Sequence, residues 1–238
     1  MGGVVIDIFG IFFPRRCPMC GKPTGYGKDL IHKECREKLP YITGAKCLKC
    51  GKSVENAEVE FCYDCTKTEH IYDKGRCLYS HNGQMKKSLY DFKYKNKREY
   101  AKAYGEELVN NLKYEILAWN ADVIMPVPLH KSKLRHRGYN QAELIARELS
   151  RRLEIPMDSK ILKRTRKTRA QKELNDSDRK KNVKNAFIVD KSIVKYKKVI
   201  LVDDIYTTGS TIDSCAKVLK EKGVEKVYYV SLSVGTGI

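Results

Sequence analysis

Two sets of residues in this 238-residue chain have the types and spacing to do chemistry. The first is a run of paired metal ligands. Cys17-x2-Cys20 is separated by eleven residues from His32-x2-Cys35, and Cys47-x2-Cys50 is separated by the same interval from Cys62-x2-Cys65. The two blocks superimpose at an offset of thirty, and Gly21-Lys22 after one pair matches Gly51-Lys52 after the other. A Cys-x2-Cys turn presents two sulfurs to one ion, and two such turns close a tetrahedral site with no open position for water. Two structural Zn2+ sites are therefore expected. His32 stands where the second block has Cys62, which marks it as a ligand rather than a solvated surface histidine. Spacing leaves open whether ligands combine within each block or across the two. Cys77, in a strand-like run, and Cys215, on the buried face of a helix, are expected to be core thiols.

The second set is the segment Val199-Ile-Leu-Val-Asp203-Asp204-Ile-Tyr-Thr207-Thr208-Gly209-Ser210-Thr211. Its apolar start reads as a buried strand that delivers two carboxylates at its carboxyl end. The small hydroxyl residues and Gly209 that follow then open a helix. Backbone N–H groups at a helix start point at an anion, and the helix dipole favours negative charge there. Thr and Ser hydroxyls add donors, Gly209 permits close approach, and the paired acids suit the vicinal hydroxyls of a sugar.

These residues need a scaffold that holds them beyond the ends of strands. From Glu99 to Trp119 the apolar positions Tyr100, Tyr104, Leu108, Leu112 and Ile116 recur at spacing four, one face of a helix. A strand from Asp122 to Met125 should follow, ended by Pro126 and Pro128, and then a basic loop. Asn140 and Glu143 form an Asx variant of a capping box ahead of a helix whose buried face is Ile145, Leu149 and Leu153. Val199 to Val202 is a short strand, Thr211 to Lys222 an amphipathic helix closed by Gly223, and Val227 to Val234 a further strand. Lys160 to Lys184 carries eleven Lys or Arg and three acids with little apolar periodicity, and reads as a basic loop. The expected fold is α/β: a three-layer domain with a parallel sheet over residues 76–238, preceded by a cysteine-rich module over residues 1–75.

Bulk properties set the setting. Lys and Arg number 47 against 29 Asp and Glu, a formal charge of +18, which suits phosphates, nucleic acid or anionic lipid. Eight of the nine cysteines precede residue 80, most of them in Cys-x2-Cys pairs. That pattern is thiolate metal ligation in a reducing compartment, so the cytoplasm is expected. The apolar stretch from Val4 to Phe13 contains Asp7 and is followed, not preceded, by Arg15 and Arg16, an order wrong for a signal peptide. It is also far short of the roughly 20 residues that span a bilayer.

The Val199–Thr211 segment closely resembles the motif by which type I phosphoribosyltransferases bind phosphoribosyl pyrophosphate (PRPP). The segment Met125-Pro-Val-Pro-Leu-His130, followed by Lys131, Lys133, Arg135, Arg137, Gly138, Tyr139, Asn140, Gln141, Ala142 and Glu143, is similar to the signature of the ComF competence family. Tyr206, bulky for the superfamily at large, is the residue expected in ComF-type sequences. The resemblance implies a double zinc ribbon followed by a phosphoribosyltransferase-like domain. It implies that Asp203 and Asp204 hold the ribose hydroxyls, that Thr207, Thr208, Gly209, Ser210 and Thr211 hold the 5-phosphate, and that Arg135 and Arg137 serve the pyrophosphate together with Mg2+. The stretch from Arg164 to Gln171 stands where the family has a loop that closes over PRPP. The implied role is in natural transformation, with single-stranded DNA and a helicase-like ATPase as partners, at the inner face of the membrane through those partners. A free-standing transferase of nucleotide metabolism or salvage is the alternative, the acceptor being unidentified by any residue. The glutamine-dependent enzyme of purine synthesis is excluded by the lack of a nucleophilic cysteine after Met1 and of a glutaminase domain. Tyr90, Phe92 and Tyr94, interleaved with Lys93, Lys95 and Lys97, are either core residues or a surface on which bases stack.

Overall fold

The fold is that of a computed structural model, which describes residues 14–25, 29–165 and 186–235. The stretch from Val4 to Phe13 and the greater part of the basic stretch, from residue 166 on, lie outside the described residues. In chain order the elements are the one-turn helices α1 (Lys33–Arg36) and α2 (Tyr63–Lys67), strand β1 (Lys74–Ser80), helices α3 (Gly83–Tyr94) and α4 (Tyr100–Leu117), and strand β2 (Val123–Pro126). Helices α5 (Lys131–Arg137) and α6 (Gln141–Leu153) follow, then strands β3 (Leu162–Arg164) and β4 (Phe187–Val189). Strand β5 (Lys198–Tyr206), helix α7 (Ser210–Lys220) and strand β6 (Lys226–Val234) complete the order.

Four strands form a fully parallel sheet in the order β1-β6-β5-β2. Strand side chains alternate between faces, so a sheet covered on both sides needs apolar residues at odd and even positions alike. Strand β5 meets that demand. Its Ile200 and Val202 pack with Leu89 and Phe92 of α3, Leu108 and Leu112 of α4, and Ile145 and Leu149 of α6. Val199 and Leu201 pack on the other face with Ile212, Ala216 and Leu219 of α7. The result is three layers.

Several elements differ from their sequence reading. The basic segment after β2 is helix α5, not a loop: His130 Nδ1 accepts from Ser132 N at 3.2 Å to start it, and Gly138 ends it at φ 76°. Leu162–Arg164, read as the start of a basic loop, is a strand antiparallel to Phe187–Val189. The capping box is half formed. Asn140 Oδ1 accepts from Ala142 N at 3.2 Å, but Glu143 turns outward to Arg147 at 3.2 Å, a charge-assisted bond.

The cysteine-rich module sits along β1, the edge of the sheet. Ile42 N donates to Leu78 O at 2.9 Å, Ser80 N to Pro40 O at 2.8 Å and Gly75 N to Lys49 O at 2.8 Å, so backbone groups on this edge are paired. The first ligand block packs on the α4 face of the sheet and the second on the α7 face. Among the described residues no helix is long and apolar enough to cross a membrane.

Candidate phosphate loop and metal centres

The sequence repeat is a structural repeat. In the first block Cys17 N donates to Lys22 O at 2.9 Å and Gly21 N to Cys17 O at 2.8 Å; in the second, Cys47 N donates to Lys52 O at 2.7 Å and Gly51 N to Cys47 O at 2.9 Å. Each turn is a tight knuckle closed by backbone bonds at its first cysteine. The ligand atoms of Cys17, Cys20, His32 and Cys35 all lie within 4.8 Å of one another, as do those of Cys47, Cys50, Cys62 and Cys65. Ligands thus group within each block.

Both sets fit zinc. Tetrahedral Zn–S bonds of ~2.3 Å put sulfurs about 3.8 Å apart. Cys50 and Cys62 Sγ are 3.5 Å apart, and Cys20 Sγ is 3.3 Å from His32 Nδ1. His32 Nε2 lies 2.9 Å from the Pro23 carbonyl, to which it donates, leaving Nδ1 with a lone pair aimed at the cluster. Burial and neighbouring thiolates push Cys35 up to about 12, so metal uptake must release its proton. Cys77 and Cys215 are buried outside both groups, and burial pushes Cys77 to about 12 and Cys215 well above its ordinary value.

The acid pair lies inside β5 rather than after it, because β6 continues to pair beyond the end of β2. Asp203 lies opposite Ser231, Ile205 opposite Ser233 and Tyr206 opposite Val234, whereas the β2 register ends with Pro126 opposite Val202. Past Val202 the β2 side of the strand opens, the crevice at strand carboxyl ends where α/β sheets take ligands. The two carboxylates have different neighbours. Asp204 Oδ2 meets Lys93 Nζ of α3 at 2.8 Å. Asp203 Oδ1 turns back to accept from Asp204 N at 2.8 Å, near Arg164 and Cys215. Burial, and then the charge of Asp204, raise Asp203 to about 7.

The turn that follows brings Thr207, Thr208, Gly209, Ser210 and Thr211 together at the start of α7. Gly209 is the cap residue, at φ 77°, and has no side chain to satisfy the first-turn N–H groups, which suits an anion. Thr208 Oγ1 and Ser210 Oγ are 2.8 Å apart. The glycine has a second cause that sequence reading missed: a Cβ there would lie 2.7 Å from Tyr206 Oη and 2.8 Å from His70 Cε1.

Of the two arginines assigned to this site, Arg135 lies exposed on α5. Arg137 is already held. Its guanidinium donates to Gln141 Oε1 at 2.9 Å and Tyr94 Oη at 3.1 Å, and lies 4.8 Å over the Tyr94 ring. The aromatic trio divides: Phe92 is core, while Tyr90 and Tyr94 are about half exposed with ring centroids 5.0 Å apart. The loop assigned to close over PRPP falls, beyond Thr165, outside the described residues.

Sequence-wide likeness agrees with this arrangement. Residues 8–66 match the family model of a double zinc ribbon domain, and residues 139–233 that of a phosphoribosyl transferase domain. Competence protein F of Haemophilus influenzae is 33% identical over 224 residues, spanning 91% of this chain and 95% of that one. The chain belongs to the ComF competence family. Competence protein ComFC of Bacillus subtilis is 30% identical over 202 residues, with 79% of this chain and 77% of that one covered. DNA utilization protein YhgH of Escherichia coli is 27% identical over 217 residues, covering 90% and 94%.

In this ComF-family chain three further residues gather at the described sites. Lys93 carried a signal: it follows Phe92 in a Met85-Leu89-Phe92 core stripe, so it lies at the margin of a buried face. Glu107 carried one too, as an acid on the apolar face of α4. It is 2% exposed and accepts from Arg36 Nε at 2.9 Å, from Tyr41 Oη, and from Tyr79 Oη at 3.4 Å. His70, between the last ligand and β1, lies in a stretch without periodicity and carried none.

Proposed function

We propose that this protein binds PRPP with Mg2+ at the β5–α7 junction and acts in DNA uptake during natural transformation. The observation that supports it best is the continuity of the acid pair, the turn and the glycine-capped helix start. A carboxylate pair at an open strand end stands next to an anion-binding helix start, and a phosphorylated pentose presents hydroxyls and phosphate in that order. In this reading Asp203 and Asp204 take the ribose hydroxyls and residues 207–211 the 5-phosphate, with Arg135 and Arg137 beside the pyrophosphate. Lys93 neutralises Asp204 until the ligand arrives. Residues 1–75 form the zinc module and 76–238 the phosphoribosyltransferase-like domain.

Where turnover occurs, the reaction is displacement of pyrophosphate from the anomeric carbon, and Mg2+ supplies charge to the departing group. The chain's own share is to orient the sugar and hold its phosphate. The relatives' names, competence protein and DNA utilization protein, support the cellular role. The test is calorimetry with PRPP and Mg2+, run beside a transformation assay. Asp203→Asn/Asp204→Asn is expected to lose PRPP binding by at least about tenfold, equivalent to ~1.4 kcal/mol, and to lower transformation. Unchanged PRPP affinity in that variant would overturn the site; normal transformation without PRPP binding would separate the site from DNA uptake.

A further inference from the structure

The two metal clusters, alike in sequence, are placed differently. The first stands apart from the phosphate loop: Cys20 is exposed, a Cβ on Gly21 would meet nothing within 4 Å, and the block docks on α3 and α4 through Ser88 Oγ on Pro18 O and Arg36 on Glu107. The second is built into the loop's wall. A Cβ on Gly51 would lie 2.9 Å from Gly75 O, and Tyr229 Oη donates to Cys50 O at 2.7 Å. The Tyr229 ring stacks on Tyr206 at 4.8 Å with planes 5° apart.

From ligand Cys65 the chain needs only five residues to reach His70, which is buried against the loop. His70 Nδ1 donates to Asp213 Oδ2 at 2.7 Å, and Ile71 N donates to Asp213 Oδ1 at 2.7 Å. The single carboxylate of Asp213, in the first turn of α7, thus clamps the strap that runs from the metal. The strap also fills the space behind Gly209. His70 Nε2 is 3.4 Å from Tyr206 Oη, which is 2.8 Å from Tyr72 Oη, and the His70 and Tyr72 rings stack at 4.8 Å. Lys52, bonded to Asp64 beside the ligand Cys65, lies 6.0 Å from the Tyr206 ring centroid.

We infer that metal binding at the Cys47–Cys50–Cys62–Cys65 cluster and anion binding at residues 207–211 are thermodynamically linked, with His70 and Asp213 as the positioning residues. The inference rests on the PRPP reading of that loop. Metal fixes the Cys62-Cys65 arm, and the arm fixes the strap. The strap holds the turn around Gly209 in the shape that presents its N–H groups. Without metal the strap regains conformational freedom, and an anion must then order the loop at its own expense. Linkage is reciprocal, so a bound anion must also retain the metal. Among the described residues no such strap runs from the first cluster, which serves as an internal control.

Cobalt makes the two clusters separately visible, because a site of four thiolates and a site of three thiolates and one imidazole differ in their d–d bands. Full-length protein loaded with Co2+ is challenged with a chelator that prefers transition metals to Mg2+, and loss of each band set is timed. The runs are made without ligand, with PRPP and Mg2+, and with inorganic phosphate. Ligand is expected to slow loss from the all-thiolate second cluster by at least about fivefold and to leave the rate at the histidine-containing first cluster unchanged. His70→Phe, which keeps a stacking ring, and Asp213→Asn are expected to bring that ratio toward one. Equal slowing at both clusters, or none at the second cluster while calorimetry shows the ligands bound, overturns the linkage and leaves the PRPP reading standing. If neither ligand binds wild type, the PRPP reading has failed and the linkage with it. Variants that keep the wild-type ratio remove His70 and Asp213 as its carriers.

Discussion

Asp203 is held where its charge is costly. Its folded value of about 7 lies above the ordinary value of 3.8, set by burial and by Asp204 and opposed by Lys93 and Arg164. The folded state therefore binds a proton that the unfolded chain has already lost between about pH 4 and 7, so this group's contribution to stability falls as pH rises through that window. Above about 7 both states are ionised and the loss is complete. Asp203→Asn cannot ionise. Its melting temperature relative to wild type is expected to rise from pH 4 to 7 and then level off; a difference independent of pH would contradict the assignment. The residue types here were legible, since two acids before a Thr-Thr-Gly-Ser turn suggest a sugar phosphate. Their surroundings were not, because Lys93 and His70 arrive from segments far away in sequence.

The elements were most legible where one period dominates. The stripe from Tyr100 to Ile116 gave α4 within a residue or two, since a helix face needs only its own local spacing. The true extent of β5 was hidden because Asp203 and Asp204 do not look like strand residues. Their place in the ladder comes from Ser231 and Ser233 across the sheet, a fact of pairing and not of local sequence. Glu107 joins α4 to the first zinc block, and Glu107→Ala leaves the hydroxyls of Tyr41 and Tyr79 and the Arg36 guanidinium short of an acceptor. The cost expected is about 2 kcal/mol, read as a lower urea midpoint of zinc-loaded protein. Glu106→Ala, which loses a partly solvated 3.2 Å bond to Arg152 and a 4.0 Å ion pair with the same Arg36, should cost no more than about 1 kcal/mol. Equal effects of the two would mean that the buried bonds of Glu107 to Tyr41 and Tyr79 add nothing to the docking of the block.

For the molecule as a whole, the order of modules was legible from composition, whereas the grouping of ligands within blocks was not, spacing being compatible with either arrangement. Native mass spectrometry is expected to count two Zn2+ per chain, and a single ion would contradict the independence of the two clusters. The +18 charge and the half-exposed Tyr90 and Tyr94 beside Arg137 make single-stranded DNA binding testable. Its log affinity should fall with log salt at about −0.7 per phosphate neutralised, and Tyr94→Ala should weaken it by ~1–3 kcal/mol. Salt-insensitive binding would point away from phosphate contacts.

The covering of β1 has a bearing on biogenesis. This strand's sheet partner is β6, with Lys74 opposite Tyr228, so a nascent chain leaving the ribosome carries β1 through most of its synthesis before β6 exists. A parallel pairing so distant in sequence is slow to form and leaves a sticky edge in the interval. The zinc blocks emerge earlier, and through Pro40 and Ile42 they pair with the other edge of β1, the one β6 does not use, so that only one edge of the strand is left waiting. Zinc starvation during expression is therefore expected to raise the fraction of the protein that pellets as aggregate, and an unchanged soluble fraction would contradict a part for the zinc blocks in folding.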